Sequence, residues 1–169
     1  MSISDLIVVM KAGEVHQIGK PQTVYDDPVN LFVSKFLGTP PINVFEGRVK
    51  GGRQIIGDEA VLDVPGAPDG DVWAGIRPEG FIPDAAGPFT CRLKGVEVMG
   101  RDISVVCAHD RHQSPQIRAI ISAESAIDEG AQTVSFSLKP YKVHLFDRAT
   151  EERILFDTGK KEAAQHGRQ

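Results

Sequence analysis

The sequence predicts a mainly β fold, a sandwich or small barrel preceded by a short α+β section, and three observations carry that expectation. Residues 132–139 alternate strictly: Val134, Phe136 and Leu138 are apolar where Thr133, Ser135 and Ser137 are polar, which is the period of a half-buried strand. Short segments of similar kind recur from residue 43 onward, separated by Gly, Pro and Asp. Many short strands with turn signals between them pack as a sandwich or barrel. Before Pro41 the character differs, with apolar residues at helical spacing, so a boundary falls at residues 38–39.

Taken in order, Leu6-Ile7-Val8-Val9-Met10 reads as an apolar strand, Lys11-Ala12-Gly13-Glu14 as a turn and Val15-His16-Gln17-Ile18 as the return strand. The unbroken apolar run predicts burial on both faces. Pro21 suits the first turn of a helix and Pro28 ends it. Asn30 then caps a second helix on which Val29, Phe32, Val33, Phe36 and Leu37 share a face, and Gly38 with Pro40-Pro41 stops it. Strands are expected at 43–50, 60–64, 72–76, 89–98, 102–108, 116–122, 132–139 and 143–146. A brief helix or turn is expected at 122–130, and residues 158–169 read as a flexible tail.

The 169 residues are 41% hydrophobic and 25% charged, the composition of a soluble globular chain long enough to bury a core. No apolar run approaches a membrane span, and the pattern of a secretion signal is missing, so a cytoplasmic location is expected. The net charge of −4, with acids and bases interspersed, argues against a nucleic-acid partner, which calls for a basic stripe. Cys91 and Cys107 lie inside β-like runs and are expected to stay reduced in such a compartment.

Three motifs invite chemistry. Gly13 to Lys20 resembles a phosphate-cradling loop, but five residues separate its glycines instead of four. Pro21 also stands where a magnesium-binding Ser or Thr belongs, and proline removes a backbone donor. Cys107, His109 and His112 are zinc-ligand types, and Cys-x-His on one strand shares a face. A closed site needs four ligands and no second Cys/His cluster completes it, so a polar loop after a strand is the expectation and no metal is assigned. Nucleophile-elbow and His-Glu-x-x-His patterns are absent, and no catalytic residue is assigned.

Several runs then become specific together. They are Asp5-Leu6-Ile7-Val8-Val9-Met10, Gly13-Glu14-Val15-His16-Gln17-Ile18-Gly19, Pro21 with Val24-Tyr25 and Pro28, Asn30-Leu31-Phe32-Val33 and Phe36-Leu37-Gly38. Their order resembles the ATPase subunits of maltose- and glycerol-3-phosphate-type ABC importers, in the stretch just after the switch histidine. Pro40-Pro41-Ile42-Asn43 resembles the family's junction into its accessory TOBE domain. Gly75-Ile76-Arg77-Pro78-Glu79, Val96-Glu97-Val98-Met99-Gly100 and Val143-His144-Leu145-Phe146-Asp147 are similar to elements of that domain. The match runs over most of residues 1–156.

The resemblance implies a remnant of an ATP-binding domain at 1–38, an OB-like TOBE barrel at 39–157 and a tail at 158–169. The family's P-loop, Leu-Ser-Gly-Gly-Gln motif, Walker B acid and switch histidine would all precede Met1. This chain by itself is therefore expected to bind no cofactor and to hydrolyse no ATP; ATP and Mg belong to the presumed complete transport ATPase. Partners implied are a second copy through the TOBE domain and permease subunits through the ATP-binding domain, at the inner face of the membrane. Solutes implied are sugars or polyols. Arg77 and Glu79, flanking Pro78, are expected either to make a functional contact or to brace the turn after a strand, and His144 reads as a strand residue. The alternative is a small-ligand (oxyanion or sugar) sensor. Related domains of molybdate importers carry Ser-Ala-Arg-Asn at the domain entrance, where this chain has Pro40-Pro41-Ile42-Asn43.

Overall fold

In the computed structural model, which describes residues 5–125 and 127–159, the chain opens with a hairpin of β1 (Ile7–Lys11) and β2 (Glu14–Gly19). Ala12 and Gly13 turn it with φ of 51° and 84°, the two positive values that a tight two-residue hairpin loop demands. Val8 faces Ile18 and Met10 faces Val15 across the pair. Burial on both faces, expected from the apolar run, is not found. Val9 is fully buried, whereas Leu6, Val8, Met10, Val15 and Ile18 are about half exposed or more. Among the described residues, helices pack on one side of this two-stranded sheet.

Those helices are α1 (Pro21–Asp26), with Pro21 in its first turn, and α2 (Leu31–Phe36). Asn30 caps α2, its Oδ1 accepting the Val33 N–H at 3.0 Å. The predicted stripe along α2 is corrected: Val29 and Phe36 are exposed, and Leu31, Val33 and Ser34 are buried. The helix lies between two partners. Val33 joins Val9 and Val24 under the hairpin, while Leu31 joins Ile42, Val44 and Phe146 on the other side.

Beyond that hairpin, nine antiparallel strand pairings among the described residues organise two larger sheets. One runs β13-β12-β6-β3-β4-β5 and the other β10-β9-β8-β11-β7. The first sheet comprises β3 (Asn43–Lys50), β4 (Arg53–Ile56), β5 (Glu59–Asp63), β6 (Gly70–Ile76), β12 (Val143–Asp147) and β13 (Arg153–Ile154). The second comprises β7 (Phe81–Pro83), β8 (Phe89–Met99), β9 (Asp102–Ala108), β10 (Ile117–Ser122) and β11 (Thr133–Leu138). Both turn their apolar faces to one core, in which Phe45, Phe81, Phe89 and Phe136 meet edge-on or stacked at ring separations of 5.0 to 6.4 Å. The fold is mainly β, as expected, and the sheets nearly close into a barrel. Asn43 zips one seam: its Nδ2 donates to Arg118 O at 3.1 Å and its Oδ1 accepts Arg118 N–H at 3.2 Å, standing in for a strand pairing.

Three strands escaped the sequence reading: β4, which opens with Arg53-Gln54, β7, which ends in Pro83, and the two-residue β13. Residues 122–130 form turns and no helix among the described residues, with Ser125 N–H on Ser122 O and Ala131 N–H on Asp128 O. Cys91 and Cys107 are free and buried in the core, where burial pushes the Cys107 thiol up to about 12. Most of the expected tail, residues 160–169, lies outside the described residues, as does Met1.

Candidate functional site

The densest polar construction joins the hairpin–helix unit to the barrel, and it begins where β6 ends. A Cβ at Gly75 would meet Ile42 Cδ1 at 2.8 Å, so that side chain would have to shift, and one at Gly80 would press on Lys142 Cβ at 2.8 Å. Between them Pro78 starts a 3-10 turn (Pro78–Gly80). The strand therefore ends abruptly and aims Arg77 at the C-terminal ends of both helices.

Arg77 is 1% exposed. Its Nη2 donates to Tyr25 O at 2.7 Å, and its Nη1 donates to Ser34 O at 2.9 Å and Leu37 O at 3.1 Å. The guanidinium carbon stands 3.9 Å from the centre of the Tyr25 ring, in cation–π contact. Helix C-termini leave carbonyls without partners and carry partial negative charge, so a buried cation there serves both needs. Burial pulls the Arg77 pKa down, with Tyr25 and Glu79 opposing.

Glu79 completes the other side of Tyr25, accepting the phenol O–H at 2.7 Å and Lys142 Nζ at 3.0 Å. Burial alone would raise its pKa, but the bonds from Tyr25, its own backbone N–H and Lys142 outweigh that and hold it below the ordinary range. The same burial and the facing carboxylate push the Tyr25 phenol well up.

A second arginine pins the joint from the end of the barrel. Arg153 Nη1 donates to Asp27 Oδ1 and to Pro28 O, both at 2.9 Å. Around it the backbone is laced: Arg153 N–H on Val29 O and Leu31 N–H on Glu151 O, both at 3.0 Å, with Asn30 bridging Glu152. His144, opposite Gly75 in the β12–β6 ladder, is 2% exposed. Its Nδ1 has no hydrogen-bond partner among the described residues. Burial first, then the nearby Arg153, Arg77 and Lys142 charges, push its pKa down to about 2, so it is neutral.

All three residues singled out from sequence, Arg77, Glu79 and His144, thus meet at one joint. Tyr25, Lys142 and Arg153 are equal members that the sequence reading missed. They lie up to 126 residues from the groups they bind, a separation that no local motif spans. The guanidinium donors of the joint are aimed at main-chain oxygens, and its carboxylate is taken up by Tyr25 and Lys142, so these groups hold two units in one orientation.

Other candidate chemistry is less organised. Among the described residues no group of three or more His, Cys, Asp or Glu is placed to hold a metal ion. Lys20 of the loop-like run is the N-cap of α1, whose six residues lead away from Gly19. A cleft of about 150 Å³ is lined by Pro40, Pro41, Ile42 and Asn43 together with His112 and Arg118. Of its polar groups, Asn43 is bonded to Arg118 and Ile76 and Arg118 Nη1 to Glu97 Oε1 at 2.9 Å, while the buried His112 Nε2 has no hydrogen-bond partner among the described residues. No helix among the described residues is long and apolar enough to cross a membrane.

No protein-family model matches the chain. Curated relatives do. The sn-glycerol-3-phosphate import ATP-binding protein UgpC of Jannaschia sp. (strain CCS1) is 32% identical over 158 residues, covering 91% of this chain and 43% of the relative. The sulfoquinovosyl glycerol transport ATP-binding protein SmoE of Agrobacterium fabrum is 32% identical, covering 91% and 45%. The oligosaccharides import ATP-binding protein MsmX of Bacillus subtilis is also 32% identical, covering 91% and 46%. The chain thus spans less than half the length of these relatives. Among solved structures, the cytoplasmic molybdate-binding protein ModG aligns with a TM-score of 0.39 and 17% identity, over 61% of this chain and 94% of that one. The resemblance read from the motifs, to the C-terminal part of carbohydrate-import ABC ATP-binding subunits, is borne out by these relatives.

Proposed function

From that kinship with carbohydrate-import ATP-binding proteins, we propose that this chain is the regulatory and dimerisation part of the ATP-binding subunit of an ABC importer for sugars or polyols. Residues 1–38 are then the end of an ATP-binding domain and residues 39–157 a TOBE barrel. The observation that carries the reading is the arginine joint. Arg77 and Arg153 tie main-chain oxygens of the helical unit to the barrel, so a movement of the first is delivered to the second as a rigid displacement. The exposed apolar face of Leu6, Val8, Met10, Val15 and Ile18 supports it too, as the seat of the rest of the ATP-binding domain. ATP and Mg would be handled in that domain, and permease subunits would dock there, at the cytoplasmic face of the membrane. The barrel would pair with a second copy of itself.

Two measurements test this. In the source genome, the frame upstream of the Met1 codon is expected to encode a P-loop, a Leu-Ser-Gly-Gly-Gln motif and a switch histidine; a stop codon close upstream overturns the assignment to a transport ATPase. Sedimentation of the purified chain is expected to show dimers at micromolar concentration, and a monomer throughout removes self-pairing of the barrel. Small-ligand sensing is the weaker reading in the cleft beside Asn43, where the Asn43 amide and Arg118 are already bonded within the fold and His112 Nε2 is a buried nitrogen without a partner among the described residues. Molybdate, sulfate or sugars are accordingly expected to leave the melting temperature unchanged, because only a ligand that binds the folded state raises it.

A further inference from the structure

The polypeptide between β9 and β10, residues 109–116, closes the barrel against β3. Glu46 N–H donates to Arg111 O and Gln113 N–H to Val44 O, each at 2.9 Å, and Phe45 faces His112 in a single antiparallel bridge. The imidazoles of His109 and His112 both lie against the buried Phe45 ring, at centroid distances of 5.8 and 4.8 Å. The Arg111 N–H donates to His109 Nδ1 at 3.0 Å. A backbone N–H can only donate, so this bond requires Nδ1 to be unprotonated, and an imidazolium, which is a donor at both nitrogens, cannot accept it. The residue held in this way, Arg111, is the one whose carbonyl receives Glu46.

His112 is built differently. Its Nδ1 lies 3.1 Å from Ser114 N and 2.7 Å from Ser114 O, so it has a donor to accept from when neutral and an acceptor to donate to when protonated. Among the described residues His109 Nδ1 has no such second partner, and that asymmetry makes it the sensitive group.

We propose that residues 109–116 form an acid-released latch on the barrel: protonation of His109 expels the Arg111 N–H, and the seam loosens at Glu46 while both sheets stay folded. His109 is half-buried, so protons reach it. Burial lowers its pKa; Glu59 on β5 and Asp110 oppose, and Arg92 on β8 and Arg111 reinforce. His112 is lowered by burial and by His109, against the pull of Ser114. Glu46 of β3 stands 3.8 Å from the Arg111 guanidinium and is the remaining charge at the seam. Both rings are thus neutral near pH 7, and acid adds two cations around one phenylalanine. The latch walls two clefts: Arg111 lines one of about 220 Å³ with Arg48 and Arg148, and His112 lines the one beside Asn43. Its release alters both. The proposal is independent of the transport reading above.

Amide exchange of the full chain, corrected for the intrinsic rate at each pH, tests it between about pH 7.5 and about pH 4, a window carried below the ordinary histidine range because burial lowers His109. Protection of the Glu46 amide is expected to fall about fivefold, the worth of one hydrogen bond, relative to the Arg118 amide, which the non-titrating Asn43 side chain holds at the neighbouring seam. His109→Asn keeps an acceptor close to the Nδ1 position and cannot titrate, so the relative fall vanishes; His112→Asn retains it. Nitrogen-15 spectra of the wild-type chain are expected to show neutral His109 protonated on Nε2 at the upper pH. Unchanged relative protection at Glu46, an equal fall in His109→Asn, or a proton on His109 Nδ1 overturns the latch. The wild-type spectra decide even if the variant fails to fold.

Discussion

The barrel and the hairpin–helix unit bury their apolar residues on very different terms. The barrel gathers its strands around one continuous core, with Phe45, Ile76, Phe89, Ile117, Phe136 and Leu145 all fully buried. The hairpin–helix unit has Val9, Val24 and Val33 at its centre and leaves an apolar face in the open. Its helices have six residues each, too short to hold by themselves. The difference teaches that order in residues 5–38 is borrowed from the barrel through Arg77 and Arg153, not generated locally.

Breaking the stronger region gives the largest effect. Phe45→Ala removes a fully buried ring that touches Phe89, His109 and His112, and is expected to cost about 4 kcal/mol across the whole fold. Denaturant unfolding measures it, and a loss below about 1 kcal/mol would mean the ring is not central to the core.

Next comes the joint. Arg77→Met leaves three main-chain oxygens without their donor, an expected loss of about 2–3 kcal/mol. The loss should appear as fast amide exchange in residues 21–37 ahead of any change in the barrel strands. Equal acceleration in β6 and β12 would show that the two regions unfold as one and erase the contrast.

A smaller effect follows from His144, which lies where the regions meet. Its pKa is near 6.5 unfolded and about 2 folded, so below 6.5 the unfolded chain binds the extra proton. Stability is therefore full above pH 6.5 and falls as pH drops, by about 1.4 kcal/mol on going from pH 7.5 to 5.5. His144→Asn should remove that share of the slope in melts across this range; an identical slope in the variant would place the titration elsewhere. The smallest effect is expected on the open face. Val8→Thr, about half exposed, should change stability by no more than about 0.5 kcal/mol. A larger loss in the isolated chain would show that this face already has a partner.

Much of the barrel was legible because period-two alternation survives wherever one face is buried, as at Val134, Phe136 and Leu138. β4 was not, because Arg53-Gln54 conceals it. Gln54 is fully buried, its amide lying over Gly47, where any side chain would collide with it. The stripe on α2 was misread because a stripe presumes one buried side, whereas Leu31 and Val33 serve different neighbours. At the joint, Arg77, Glu79 and His144 stood in recognisable runs. Their partners did not, since hydrogen bonding to Tyr25 O, Ser34 O and Leu37 O uses atoms that every residue type possesses.

That last point reaches beyond folding. A contact written in main-chain oxygens places no demand on the side chains of the residues that supply them. At positions 34 and 37 the side chain answers to its own packing, Ser34 being buried, and not to the arginine, so any residue that keeps the helix on its path presents the same oxygen to the barrel. Two modules joined in this manner can change separately over time, or be exchanged for others of the same backbone course, without the junction having to be invented again.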